Sequence, residues 1–216
     1  MKLYYIPTTR AVRPRWLLEE LEAPYELIYI RPGMMEQPEY KHLHPHGKVP
    51  VLVDEAVTIF ESAAICAYLA DKYSEKGLAP EPNDSARAYY YQWLFYATAT
   101  LEPPVEQYMF NVFPNLPEKV LPKDAQTHLS TTDAQTWFDR VCQPLDRVLT
   151  DRDYLVENKF SVADIITGGV LMWAYRLGMM KAETPTKLYL EKLMQRPGFL
   201  RADEDFYAKV GEENPS

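Results

Sequence analysis

Strand signals nearly vanish after Phe60, and that break fixes the class of fold open to this chain. Before it, short runs rich in aromatic and β-branched residues alternate with helically spaced ones. KLYYI, stopped by Pro7, reads as a strand. RPRWLLEELE carries Trp16, Leu17, Glu20 and Leu21 at helical spacing and is closed by Pro24, after which YELIYI is a second strand. Such a strand–helix–strand unit pairs its strands in parallel. A short helix over Glu36–His42 precedes VPVLVD and AVTIF, two strands meeting at Glu55 as an antiparallel hairpin, and SAAICAYLADKY follows as a helix. The order β-α-β-α-β-β-α describes a small sheet with helices on its faces.

Residues 74–83, SEKGLAPEPN, form a linker rich in Pro, Gly and charge. Everything beyond it reads as helix. DSARAYYYQWLFYATATLE is a long helix capped by Asp84 or Ser85, which Pro103 and Pro104 must kink or end. DAQTHLSTTDAQTWFDRVCQPLDRVLTD is a second helix, interrupted near Pro144. FSVADIITGGVLMWAYRLG is a buried third, and two short helices follow Thr184. The expected organisation is an α/β unit over residues 1–76 and an all-helical unit over residues 84–216.

Function classes are narrowed by charge. A net charge of -8 makes nucleic acid or an anionic membrane a poor main partner. No apolar run is long enough for a membrane-spanning helix, and MKLYYIPTTR lacks the apolar core of a signal peptide. Cys66 and Cys142 are too few for a disulfide scaffold, and a reducing cytoplasmic setting is expected. His42, His44 and His46 are closely spaced, with His128 far along the chain. No cysteine or acidic ligand accompanies them, and no metal site is expected. Cys66 lies mid-helix beside Ile65 and Leu69, the setting of a buried, inert thiol.

Three short patterns carry possible chemistry. Val49–Pro50 places a proline directly before a strand. As a cis bond it would turn the backbone of Val49 outward, where an extended peptide can pair with it; as an ordinary trans bond it merely begins an edge strand. Glu61–Ser62 opens a helix. A helix start attracts a carboxylate, Ser62 adds a donor, and Glu61 suits an ammonium group, so the pair matches an α-amino-acid end. The plainer alternative is a capping serine beside a solvated acid. In FSVAD, Ser161 and Asp164 form a capping box at the start of a buried helix, a structural device.

Taken together, HGKVPVL, ESAAICAYLADKY, the Pro-rich linker and FSVADI, in this order and across nearly the whole chain, resemble the cytosolic glutathione S-transferase superfamily. The resemblance implies a thioredoxin-like N-terminal domain that binds glutathione and an all-helical C-terminal domain that contributes an electrophile pocket. It implies that Pro50 is cis, that Val49 pairs through its backbone with the cysteinyl part of glutathione, and that Glu61 and Ser62 hold the γ-glutamyl end. Lys48 is placed to meet a glutathione carboxylate. The residue that activates the thiol falls in PTTRAVR, between the first strand and first helix. Thr9 occupies that position when counted from the strand, and Thr8 when counted from the helix. Arg10, where a small or apolar residue is common, can assist the thiolate, bind an anionic substrate or face solvent.

Tyr89, Trp93 and Tyr96 share a helical face, and Tyr5, Tyr96, Tyr108, Phe110 and Trp173 are candidates for the electrophile pocket. The expected activity is glutathione transfer to a small hydrophobic electrophile. Glutathione serves as co-substrate, no other cofactor is needed, and the chain forms a homodimer. A non-catalytic glutathione-binding or protein-interaction module is the alternative. A reductase or lyase is a third reading, set back by the lack of cysteine in the catalytic loop.

Overall fold

The computed structural model describes residues 1–113 and 129–205; His128 and the first residues of the expected second long helix, 124–128, lie outside the described residues. Two compact units are present. The first joins Met1–Arg87 with the described residues from Lys192 onward; the second is Ala88–Glu191.

In the first unit, β1 (Lys2–Tyr5), α1 (Val12–Leu21), β2 (Glu26–Tyr29), α2 (Pro38–Leu43), β3 (Val51–Asp54), β4 (Val57–Phe60) and α3 (Ser62–Lys72) follow the order read from the sequence. The sheet runs β2-β1-β3-β4. β1 and β2 are parallel, while β3 is antiparallel to both β1 and β4. Glu55 turns the hairpin at φ 52°, in the left-handed region. α1 ends where Glu22 adopts φ 54°, two residues before the expected stop at Pro24. The fully buried Leu3, Leu17, Leu21, Leu52, Ile65 and Leu69 join the sheet to α1 and α3.

α9 (Pro197–Ala202) packs on α1, with the rings of Trp16 and Phe199 edge to face at 5.1 Å. Glu20 ties the two helices. Its Oε1 accepts from Trp16 Nε1 at 2.9 Å and from Arg196 Nε at 2.8 Å, and its Oε2 accepts from Arg196 Nη2 at 2.9 Å. The linker is held too: Arg87 donates to the Pro80 carbonyl at 2.6 Å and to Asp71 at 2.7 Å.

The second unit is helical. α4 (Ala86–Tyr96) is capped by Asp84, whose Oδ1 accepts the Ala86 N–H at 2.9 Å. Pro103 and Pro104, expected to kink or end the helix, do not end it. The chain widens into a π turn over Ala97–Leu101 and resumes as α5 (Glu102–Val112), with the prolines in its first turn. A proline lacks the N–H that would meet a carbonyl four residues back, and the widened turn accommodates that loss.

α6 (Thr131–Leu149) corrects an expectation: it runs unbroken through Pro144. An interior proline costs about 3 kcal/mol. Phe138, Val141, Cys142, Leu145 and Leu149 are all buried on one face that spans the proline, and each large apolar side chain buried contributes about 1.5–3 kcal/mol. Burial therefore outweighs the proline. α7 (Val162–Arg176) is buried over most of its length, and α8 (Pro185–Met194) follows. Tyr89, Trp93 and Tyr96 do not form one environment: Trp93 is buried against the Tyr96 ring, whereas Tyr89 is 60% exposed.

Among the described residues, no helix is long and apolar enough to cross a membrane.

Candidate glutathione site

Sheet register brings Val49–Pro50, Glu61–Ser62 and the loop after β1 to one edge of the first unit. Tyr4 lies opposite Val51, and Val51 lies opposite Phe60. That single row carries the end of β1, the start of β3 and the end of β4. The chain leaving β1 enters the Ile6–Ala11 loop, the chain entering β3 arrives through Val49–Pro50, and the chain leaving β4 enters Glu61–Ser62. Three segments distant in sequence thus converge because of how the strands pair.

Val49–Pro50 is the cis peptide bond of the described chain. The approach to it is pinned from α2. The Tyr40 hydroxyl donates to the Lys48 carbonyl at 2.8 Å, and the Tyr40 ring meets Tyr4 edge to face at 5.7 Å. Burial pushes the Tyr40 phenol above its ordinary range, so it stays a donor. The Lys48 side chain is exposed and Val49 is half-buried.

Glu61 is the N-cap residue of α3, and its side chain makes no cap hydrogen bond. Its backbone sits at φ 72°, ψ 114°, a conformation that residues with a side chain rarely adopt, and it is exposed. Ser62 is therefore the first helical residue and not the capping serine. It is 4% exposed, and its Oγ accepts from Arg13 Nη1 at 3.2 Å. Sequence reasoning did not single out Arg13; a charged residue on the inner face of a helix is the signal that could have found it.

The β1–α1 loop separates the two threonines. The Thr9 hydroxyl donates to the Ile6 carbonyl at 2.7 Å and accepts the Ala11 N–H at 3.2 Å, so it is spent on the turn. Thr8 is exposed, and its hydroxyl makes no hydrogen bond among the described residues. Its φ is 64°, an outlier for a β-branched residue. Arg10 is half-buried in the same loop.

Of the described histidines, His44 sits beside this edge with His46 next to it. His44 is buried, accepts the His46 N–H on Nδ1 at 3.1 Å, and stacks near Phe60 at 4.7 Å. Burial lowers its pKa. Among the described residues, no three His, Cys, Asp or Glu side chains group to hold a metal ion.

Tyr5 is 1% exposed, with the Arg15 guanidinium 5.1 Å from its ring centroid and Tyr29 edge to face at 5.7 Å. Arg15 also binds Glu204 and Asp205, each at 2.5 Å. In the second unit, Tyr96 donates to the Val141 carbonyl at 2.9 Å, and Tyr96, Tyr108, Phe110 and Trp173 are all half-buried. Cys66 is fully buried, and burial raises its thiol pKa.

Comparison with known proteins bears on the family and the fold. Residues 1–71 match the glutathione S-transferase N-terminal domain, and residues 120–197 match the C-terminal domain. Glutathione S-transferase 2 of Schizosaccharomyces pombe is 33% identical over 173 residues, covering 77% of this chain and 70% of that protein. Disulfide-bond oxidoreductase YfcG of Escherichia coli is 31% identical over 173 residues, covering 76% of this chain and 75% of that one. A sphingomonad glutathione S-transferase solved with glutathione superposes with a TM-score of 0.77 at 26% identity, covering 95% of this chain and 98% of that one. With a thioredoxin-like first unit, an all-helical second unit and both family domains matched, the chain belongs to the cytosolic glutathione S-transferase superfamily.

Proposed function

We propose that this chain is a cytoplasmic glutathione transferase that binds glutathione along the shared edge of β1, β3 and β4 and activates its thiol for attack on a small hydrophobic electrophile. The observation that carries the reading is Glu61: an exposed acid held at φ 72° at the entrance to α3, directly before a serine hydrogen-bonded to a buried arginine. A backbone outlier of this kind persists only where the surroundings impose it. In this reading the Glu61 carboxylate faces the γ-glutamyl ammonium, and Ser62 with the first N–H groups of α3 receives the carboxylate. Val49 pairs through its backbone with the cysteinyl unit, while Lys48 and Arg10 meet the remaining negative charge.

Thr8 is the thiol activator in this reading, because its hydroxyl is free and that of Thr9 is committed. Lowering a thiol pKa by two units takes about 2.7 kcal/mol. The start of α1 supplies about 0.3–1 kcal/mol and one hydroxyl bond to the charged sulfur about 1.5–3 kcal/mol, so together they suffice without a general base. The thiol proton passes to solvent, the sulfur bonds to the electrophilic carbon, and the displaced electron pair leaves with the leaving group. Residues 1–76 serve glutathione and residues 84–216 serve the electrophile, through Tyr96, Tyr108 and Trp173. Tyr5, enclosed by Arg15 and Tyr29, is left to packing. Tyr91 and Phe95, exposed one turn apart on α4, support a homodimer.

Likeness to a disulfide-bond oxidoreductase favours a second reading, in which the same thiolate attacks a disulfide. The catalytic loop holds no cysteine and Cys66 is buried, so two glutathione molecules would supply both electrons and leave as their disulfide.

Thiolate absorbance of bound glutathione, titrated from acid to alkaline pH, tests the proposal. Thr8→Ala should raise the bound thiol pKa by about one to two units, while Thr9→Ala should raise it by less and Thr8→Ser should restore it. In parallel, Glu61→Ala should weaken glutathione binding by about 1.5–3 kcal/mol in calorimetry. A wild type with no depressed thiol pKa makes the chain a non-catalytic binding module. Equal turnover with a disulfide panel and none with electrophiles selects the second reading.

A further inference from the structure

The proposed site uses the Ser62 hydroxyl as a donor but gives no role to the cation behind it. Arg13 lies in the first turn of α1 and is 1% exposed. Arginine is almost never buried to this extent unless it is paired, because removing its charge from water is costly. Arg13 Nη1 reaches across from α1 to donate to Ser62 Oγ at 3.2 Å, and Ser62 is itself buried. Two consequences follow from the chemistry of a hydroxyl. One lone pair of Oγ is occupied by the guanidinium, which leaves the hydroxyl hydrogen to be donated elsewhere. An oxygen that accepts from a cation is also polarised, and it donates its own hydrogen more strongly. The charge itself adds to the partial positive charge of the α3 start, in surroundings where screening by water is weak.

We infer that Arg13 is a positioning residue for the γ-glutamyl α-carboxylate: from beneath the start of α3 it aims the Ser62 hydroxyl at that carboxylate and makes the pocket selective for it. The inference rests on the glutathione reading and deepens it. Arg13 does not touch the peptide in this arrangement; it acts through Ser62. The competing role is a plain staple between α1 and α3, which would hold the fold without regard to the ligand's charge.

A ligand lacking one group separates the two roles. The probes are S-methylglutathione and the same tripeptide built on 4-aminobutyrate, which lacks only the α-carboxylate. Calorimetry compares wild type with Arg13→Met, Arg13→Gln and Arg13→Lys. Arg13→Met should weaken S-methylglutathione by about tenfold, the effect of losing one modest charge-assisted contact, and the truncated peptide by less than about twofold. Arg13→Lys, which keeps the charge, should stay within about threefold of wild type for both peptides. In turnover, Arg13→Met should raise the KM for glutathione with kcat nearly unchanged. Should Arg13→Met not fold, Arg13→Gln carries the same comparison, with an N–H for Ser62 but no charge. Arg13→Met or Arg13→Gln weakening both peptides equally, or neither, overturns the inference. A wild type that binds neither peptide overturns the glutathione reading and this inference with it. A wild type that binds glutathione with affinity insensitive to Arg13 overturns this inference alone.

Discussion

Asp164 holds the second unit together at a fully buried point, and it should make the protein less stable as pH rises. Its Oδ1 accepts the Leu155 N–H at 3.0 Å and the Tyr189 hydroxyl at 2.8 Å. Its Oδ2 accepts the Ser161 N–H at 2.8 Å and the Ser161 hydroxyl at 3.1 Å, completing the capping box of α7. Burial disfavours the charge and these four donors favour it. Burial wins, and the carboxyl is pushed up to about 6 from 3.8. The sign follows from which state holds the proton. Below the unfolded value both states are protonated and the term is absent. As pH rises, the unfolded chain ionises first and gains, so folding stability falls until the native carboxyl ionises as well. Two pKa units correspond to about 3 kcal/mol in full, of which about 2 kcal/mol is lost between about pH 4.5 and 7.5. Asp164→Asn fills the same space without titrating. Urea unfolding followed by tryptophan fluorescence, run on both proteins across that range, isolates the group because the other titrations cancel in the difference. Wild type should lose about 2 kcal/mol relative to Asp164→Asn over the range. A flat difference would show that the carboxyl does not titrate abnormally. A wild type that gains relative to asparagine would show that the four donors outweigh burial, and the reasoning would be wrong.

Two further outcomes are expected. A Cβ at position 198 would lie 2.7–2.8 Å from the Glu20 side chain, which cannot swing away without releasing Trp16 and Arg196. Gly198→Ala should therefore cost about 1–3 kcal/mol and lower Tm by several degrees in calorimetry; an unchanged Tm would show that Glu20 gives way freely. Wild type should sediment as a dimer at micromolar concentration and Phe95→Glu as a monomer with its helical circular dichroism intact, whereas a monomeric wild type removes the homodimer from the proposal.

The sequence was legible where a residue's role is set by its immediate neighbours. Element order in the first unit follows from two periodicities and from proline punctuation, and both survive in the structure because the strands and helices obey them locally. Local rules fail where burial decides. Pro144 reads as a break, yet α6 passes through it because its apolar face is long enough to outweigh one proline. Pro103 and Pro104 read as a kink or an end, and only the structure decides between the two: a widened turn carries the helix on. The candidate site divides in the same way. Glu61–Ser62 could be placed at a helix start from spacing alone, but that Ser62 is not the cap, and that its oxygen is already engaged, depends on an arginine forty-nine positions away. The two threonines are adjacent in sequence and chemically identical. Only the loop backbone distinguishes them, by spending one hydroxyl on the Ile6 carbonyl and turning the other outward at a positive φ. Arg13, Arg15 and Glu20 lie among the apolar positions of α1, and the sequence does not say what offsets their charge. In the structure each meets a partner on another segment: Ser62 for Arg13, Glu204 and Asp205 for Arg15, and Arg196 for Glu20. Partners drawn from α3 and from the segment around α9 lie beyond the reach of any local window, so the polar residues that organise this site were the last part of it that sequence alone could have revealed.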